Sequence, residues 1–273
     1  ATITYSTGFG CSTTTLVTIN PNPANILGST AICEGIITTM TDATTGGTWL
    51  STNTAVATIG SSDGIVNALT AGISTITYTA TTGCYTTASV TVNALPATIT
   101  GAAYVCVGAS ITLSNTTSGG VWSSFAPTYA FGPSADGVVT GIAQGTAIIS
   151  YTASNGCART TIVTVNPLPS AISGTATVCP GLTTTLTDAS GGGAWSTSPT
   201  SAGIASINSA SGIVTGVGAG TATMTYTYAS TGCYVTKDVT VNSTVGAITG
   251  TTTVCPGMTT TLSCVSSPGA TWT

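Results

Sequence analysis

The feature that most constrains this chain is its self-similarity. Four tryptophans, Trp49, Trp122, Trp195 and Trp272, recur at spacings of 73, 73 and 77 residues. Two cysteine series keep nearly the same step: Cys33, Cys106, Cys179 and Cys255, and Cys11, Cys84, Cys157 and Cys233, each at 73, 73 and 76. Three markers with one period describe a tandem array, in which each unit meets mainly its neighbours. A handover phrase recurs as well, TVNALPATITGAA and then TVNPLPSAISGTA, with Pro and Asn where one unit passes to the next. Units are therefore expected near 21–94, 95–167 and 168–243. Residues 1–20 read as the end of an earlier unit and residues 244–273 as the head of a later one, both incomplete, so the polypeptide or its assembly is expected to continue. The third unit carries extra residues between Trp195 and Cys233, two before the Ser211-Gly212 turn and one after it.

Within a unit the pattern is strand. Ala88, Val90 and Val92 alternate with Thr87, Ser89 and Thr91, and Ile76, Tyr78 and Ala80 alternate with Thr75, Thr77 and Thr79. Period two with β-branched residues on both faces describes half-buried strands, and Thr suits the wet face because it is both β-branched and polar. Turn signals are dense: Asp63-Gly64, Asp136-Gly137 and Ser211-Gly212, and the pairs Gly83-Cys84, Gly156-Cys157 and Gly232-Cys233. Many short strands broken by frequent turns predict an all-β protein built of β-sandwiches, about 73 residues per repeat.

Composition removes most chemistry. The chain has two Lys/Arg, six Asp/Glu and no His, so charged residues make up 3% against about 25% in an ordinary domain. Without His the commonest general base and metal ligand are missing, and the abundant Ser and Thr have no base to activate them. Two cations cannot build a phosphate-binding surface, which argues against nucleic acid, and no Gly-Lys-Ser/Thr loop occurs. The nine cysteines contain no CxxC spacing, which argues against zinc. Calcium would need 6–8 oxygens, yet no linker carries an acid. Asp63 and Asp136 precede turn glycines. Asp42 and Asp188 share a repeat position that holds Asn115 and Cys264 elsewhere, as a short polar turn would. Arg159 and Lys237 lie near the start of a unit's last strand and are expected to be solvated. No catalytic residue, metal or cofactor is expected. No apolar run approaches the 18 residues of a membrane span, so no membrane insertion is expected. The opening ATITYSTGFGCS lacks the basic start and apolar core of a signal peptide. A net charge of −4 over the whole chain gives copies little mutual repulsion and leaves lateral association open.

The stretch TWLSTNTAVATIGSSDGIVNALTAGISTITYTA resembles the bacterial immunoglobulin-like group 2 repeat. Trp49, Ala57, Ile59, Gly64, Val66, Gly72, Ile76 and Tyr78 carry the pattern. The third unit repeats it with Trp195, Ala205, Ile207, Gly212, Val214, Gly220, Met224 and Tyr226. The second departs from it where FAPTYAFGPS replaces one strand. The cysteine pattern is similar to that of repeats in giant secreted surface proteins of Bacteroidetes-type bacteria. The resemblance implies tandem immunoglobulin-like sandwiches in an elongated rod, exported by the type IX route and placed in adhesins or gliding filaments at the bacterial cell surface. It brings no catalytic residue. In such a fold Trp49, Trp122, Trp195 and Trp272 are core plugs, in preference to platforms for sugar stacking. The sequons at Asn115-Thr-Thr and Asn242-Ser-Thr are expected to be accidental matches in a bacterial protein.

Regular cysteines in a repeat protein point to disulfides and an oxidising compartment. Each unit could be joined to itself, as Cys33–Cys84, Cys106–Cys157 and Cys179–Cys233, or to its neighbour, as Cys33–Cys157 and Cys106–Cys233. If the first strand of a unit runs unbroken from Ala97 to Val105, Cys106 ends at the top and Cys157 sits in the last hairpin at the bottom. Nine strand residues then separate them by roughly 25–30 Å, beyond the ~7 Å that a disulfide allows between Cα atoms. The top of one unit meets the bottom of the next, so neighbour pairing is favoured. Cys11, Cys84, Cys179 and Cys255 are then left for partners outside this stretch, and Cys264, with no repeat equivalent, is free or locally paired.

The leading functional expectation is a structural stalk or filament segment of a long extracellular repeat protein, whose partners are further repeats of the same polypeptide or filament and lateral copies. One alternative is an adhesive module that binds glycan or protein through a loop of the second unit, with Phe125, Tyr129 and Phe131 as the ligand side chains. Another is a filament subunit that polymerises by strand complementation, residues 1–20 of one chain completing residues 244–273 of another.

Overall fold

The structure, a computed structural model, describes residues 1–131 and 136–265. Trp272 and the side chain of Phe131 lie outside the described residues. A hairpin, β1 (Thr2–Ser6) and β2 (Ser12–Leu16), comes first. The first sandwich follows as β3 (Ala31–Cys33), β4 (Ile37–Thr39), β5 (Thr48–Ser51), β6 (Ala57–Ile59), β7 (Ile65–Ala68), β8 (Gly72–Thr79) and β9 (Tyr85–Asn93). One sheet runs β3-β9-β8-β5 and the other β4-β7-β6. The second sandwich repeats this order with β10 (Tyr104–Cys106), β11 (Ser110–Thr112), β12 (Val121–Ser124), β13 (Ala130–Phe131), β14 (Val138–Gly141), β15 (Gly145–Thr152) and β16 (Ala158–Asn166), in sheets β10-β16-β15-β12 and β11-β14-β13. The third does so between Thr177 and Val241, with Ser173–Gly174 added to the edge of its smaller sheet and Gly220–Tyr228 and Tyr234–Val241 as its last hairpin. Among the described residues the strand ladders are antiparallel except that of the first strand with the last, which is parallel in each unit, and the isolated bridges Val107–Gly141 and Pro180–Gly216 are parallel too. Two facing sheets in this order are an immunoglobulin-like sandwich.

Alternation decides what each sheet buries. In β8 and β9, Ile76, Tyr78, Val90 and Val92 face the interior, while the Thr residues between them face out. Each sandwich thereby closes its own core, one from Ile32 to Val92, one from Val105 to Val165 and one from Ile172 to Val241. Trp49, Trp122 and Trp195 are buried in these cores. Each packs against a tyrosine on the neighbouring strand: Trp49 on Tyr78, Trp122 on Tyr151 and Trp195 on Tyr226, with ring centroids 4.6, 4.9 and 4.8 Å apart. The tyrosine hydroxyls accept from the amides of Gly47, Gly120 and Gly193, each at 2.9 Å, and so pin the turn that leads into the Trp strand.

Two sequence expectations need correction. The first strand is not continuous from Ala97 to Val105. Thr100 bridges Ser114 in one sheet, and Tyr104–Cys106 then pairs with Thr164–Asn166 in the other. The chain crosses between sheets at Gly101, whose φ of 131° is available to glycine and whose absent Cβ would lie 2.8 Å from the Thr112 carbonyl oxygen. The second unit also keeps the strand that FAPTYAFGPS was expected to replace. Ala130 and Phe131 pair with Gly141 and Thr140, and Ala130 is buried as Ala57 and Ala205 are. The extra residues of the third unit are absorbed in a short 3-10 turn at Pro199–Ser201 and in a last hairpin that closes from Gly232 to Tyr228, one residue wider than Gly156 to Ala153.

One polar position ties each linker to its sandwich. Asn115 accepts the Thr117 amide at 2.9 Å and donates through Nδ2 to the Ala97 carbonyl at 2.6 Å. Asp42 and Asp188 accept the amides of Thr44 and Ser190 in the same way, at 2.7 and 2.8 Å. Their second oxygens, in the place of the Asn115 amide, are buried without a hydrogen-bond partner among the described residues. Cys264 fills the same slot and donates its Sγ to the Gly246 carbonyl at 2.9 Å. The slot therefore calls for a donor, and Asp supplies a second acceptor in its place.

Trp122→Ala is expected to lower the stability of its own unit by about 3–5 kcal/mol through the cavity it leaves, measured by denaturant unfolding followed by near-UV circular dichroism. Asp42→Asn and Asp188→Asn are each expected to raise stability by about 1 kcal/mol, because a new donor meets the linker carbonyl and a stranded buried acceptor is removed. Asn115→Asp in the same assay is expected to have the opposite effect.

Candidate functional site at the junctions between units

Each junction is assembled from the two ends of a last strand. Cys157 sits where β15 turns into β16, in a turn held by Asn155, whose Oδ1 accepts the Cys157 amide at 3.0 Å. Cys106 lies at the opposite end of β16, level with Asn166. The nine residues of β16 therefore hold the two cysteines of one unit at opposite ends, roughly 25–30 Å apart. The sulfur atoms that meet belong to different units. Cys33 is bonded to Cys157 and Cys106 to Cys233, with Cα atoms 5.7 and 5.6 Å apart and sequence separations of 124 and 127 residues. Cys157 and Cys233 have no solvent exposure.

Side chains reinforce the first junction. The linker residues Ala94, Leu95 and Pro96 have their backbone groups bound from both sides. Glu34, next to Cys33 in the first unit, accepts the Leu95 amide at 3.3 Å and the Ala71 amide at 2.9 Å. From the second unit, Asn155 donates to the Ala94 carbonyl at 3.0 Å and Arg159 donates to the Pro96 carbonyl at 2.7 Å. At the second junction the corresponding residues are Val107, Thr231 and Val235, none of which can reproduce this set. Within the third unit Lys237 donates to the carbonyls of Ile172 and Gly174, both at 3.1 Å. Arg159 and Lys237 thus hold carbonyl oxygens and are not simply solvated. Glu34 was not distinguishable as a linker contact in the sequence, since the linker itself has no acid and the position is not repeated.

The remaining cysteines are Cys11, Cys84, Cys179, Cys255 and Cys264, all unbonded. Cys84 has the setting of Cys157. Its Sγ lies 3.7 Å from the Asn20 carbonyl, as the Cys157 Sγ lies 3.9 Å from that of Asn93. Among the described residues no three His, Cys, Asp or Glu side chains converge as a metal site would need. No helix among the described residues is long and apolar enough to cross a membrane.

The loop of the second unit divides. Phe125 is 71% exposed. Tyr129 is 42% exposed and stands where Val56 and Ile204 stand in the other units, its ring over Gly145, where a Cβ would fall 2.6 Å from the ring. Tyr129 is thus partly a packing residue. The Asn115 amide is spent on the Ala97 carbonyl, so that sequon does not present a free side chain.

No family model matches the sequence, and no curated protein matches it. Among solved structures the chain is similar to surface layer protein SbsC, domains 1–6, at 19% identity over 92% of this chain and 46% of that one, with a TM-score of 0.25. It is also similar to invasin, described as a bacterial integrin-binding protein, at 14% identity over 91% and 67%, TM-score 0.35. A C-terminal fragment of intimin, solved with the intimin-binding domain of its translocated receptor, matches at 16% identity over 55% and 67%, TM-score 0.34. The chain spans about half the length of the SbsC structure it matches. These scores add nothing to the strand pairings, and the fold rests on those pairings.

Proposed function

We propose that this chain is a structural segment of an extracellular stalk or filament at a bacterial cell surface, made of immunoglobulin-like units tied to one another by disulfides. The observation that carries the reading is that each neighbouring pair of units is joined twice, by the linker and by a cystine beside it. Tandem domains with a single linker move freely, because their interfaces are small and polar. A second covalent connection opposes that motion. Loops closed over 124 and 127 residues also restrict the unfolded chain, an effect of roughly 4–5 kcal/mol each in the chain-entropy model. Stable cystines require an oxidising compartment. Cys84 and Cys179 are read as halves of further junctions of the same kind, with partners in neighbouring repeats. No cofactor and no catalysis belong to this reading, and its partners are further repeats and lateral copies.

A second reading has one observation in its favour. Phe125 stands in solvent where the other units carry Thr52 and Ser198, as an adhesive loop would require. Loss of binding on a glycan or protein array with Phe125→Ala would favour it.

The stalk reading is tested by electron microscopy of the oxidised and reduced protein, with non-reducing peptide mapping. Straight rods are expected before reduction, with units of roughly 40 Å each from strand length plus turns. After thiol treatment the second junction is expected to bend more than the first, which keeps Glu34, Asn155 and Arg159. Equal flexibility in both redox states, a compact globular shape, or recovery of Cys106 joined to Cys157 would overturn the reading.

A further inference from the structure

We propose that the second junction carries a binding cleft for a neutral carbohydrate, with Tyr104 as its stacking surface. A cavity of about 690 Å³ opens there between two units. One wall is the end of the second sandwich, with Tyr104, Thr164 and Asn166, and the other is the last hairpin of the third, with Ser230, Thr231 and Gly232. The volume is in the range of small-molecule sites, which favour domain interfaces.

The lining has the chemistry of a sugar site. Tyr104 is 59% exposed and its hydroxyl has no hydrogen-bond partner among the described residues. The repeat does not need a tyrosine there, since Ala31 and Thr177 hold the same place in the other units. An exposed aromatic face gives an apolar surface to the C–H side of a sugar ring and keeps a polar edge for its hydroxyls. Around it stand the hydroxyls of Thr164, Ser230 and Thr231 and the amide of Asn166, groups that both donate and accept. No charged residue lines the cleft, so it offers no counter-ion to a phosphate, sulfate or uronate. A purely apolar ligand would strand the hydroxyls and the amide.

Two departures from the repeat open this cleft. The hairpin that forms its wall is one residue wider than in the second unit, closing from Gly232 to Tyr228. At the first junction Asn155 accepts the Cys157 amide at 3.0 Å and also reaches across to the Ala94 carbonyl; Thr231, in its place, keeps only the first contact, accepting the Cys233 amide at 3.3 Å. The Cys106–Cys233 disulfide joins the two walls and fixes the span between them, which lowers the ordering cost of binding.

The test is isothermal titration calorimetry of the oxidised chain with chitohexaose, cellohexaose and mannohexaose, and with hexagalacturonate as a charged control. Saturable binding of at least one neutral oligosaccharide is expected, with hexagalacturonate weaker than that sugar. Tyr104→Ala is expected to weaken binding by roughly tenfold or more, the loss of one stacking contact at about 1.4 kcal/mol per decade, while Tyr104→Phe keeps most of it. Phe125→Ala is expected to leave affinity unchanged, which separates this cleft from the adhesive loop. The double variant Cys106→Ser with Cys233→Ser is expected to bind more weakly with its near-UV circular dichroism unaltered. No binding by any of the neutral sugars up to about 10 mM, the weak end of specific affinity, would overturn the proposal. So would unchanged affinity in Tyr104→Ala, or a preference for hexagalacturonate.

Discussion

A sandwich of about 73 residues has little interior, and in each unit that interior is organised around one contact, a buried Trp against a Tyr on the adjacent strand. The pair does more than exclude water. Because the Tyr hydroxyl accepts the amide of Gly47, Gly120 or Gly193, the same side chain that fills the core fixes the turn into the Trp strand. That turn also holds the Thr44, Thr117 or Ser190 side chain, which accepts the amide of Ala24, Ala97 or Ser170 at the start of the unit. Core packing is in this way connected to the direction in which each linker enters its sandwich.

The junction chemistry depends on that order. A cystine needs its two Cα atoms within about 7 Å, and here the atoms come from separate sandwiches. They meet because the last strand of a unit carries one cysteine register at each of its ends, so that stacking unit on unit brings unlike registers together. The parallel pairing of the first strand with the last places Cys33 and Cys106 at the upper ends, and the closing hairpins place Cys157 and Cys233 at the lower ends. The two junctions are nonetheless different. Glu34, Asn155 and Arg159 bind the first linker and have no counterparts at the second, whose walls stand apart around Tyr104.

The low charge of the chain agrees with this division. The only two Lys/Arg residues both donate to backbone carbonyls near unit boundaries. A basic side chain that has few carboxylates to pair with is used here as a long donor, its head reaching a backbone carbonyl. Thr takes over the outer faces of the sheets, where charged residues normally stand, because it combines strand propensity with a hydroxyl.

Much of the architecture was legible in the residues themselves. The recurrence of Trp49, Trp122 and Trp195 and the alternation along Ile76, Tyr78, Val90 and Val92 report period and burial, which are local properties of a strand, and these suffice for an all-β array of sandwiches. The expected separation of the cysteines of one unit assumed an unbroken first strand, which the structure breaks at Gly101; the length of β16 is what holds them apart. What the sequence by itself did not determine lies where residues distant in the chain meet. The crossing at Gly101 depends on the facing Thr112 and Leu113. The survival of a strand at Ala130-Phe131, in a segment with none of the usual pattern, depends on the edge offered by Val138–Gly141. The carbonyl contacts of Glu34 and Arg159 span 61 and 63 residues, and the cleft at Tyr104 is bounded by a hairpin more than a hundred residues away. A repeat period reports what every unit shares; single unrepeated side chains that cross from one unit to the next leave no period, and only the tertiary structure places them.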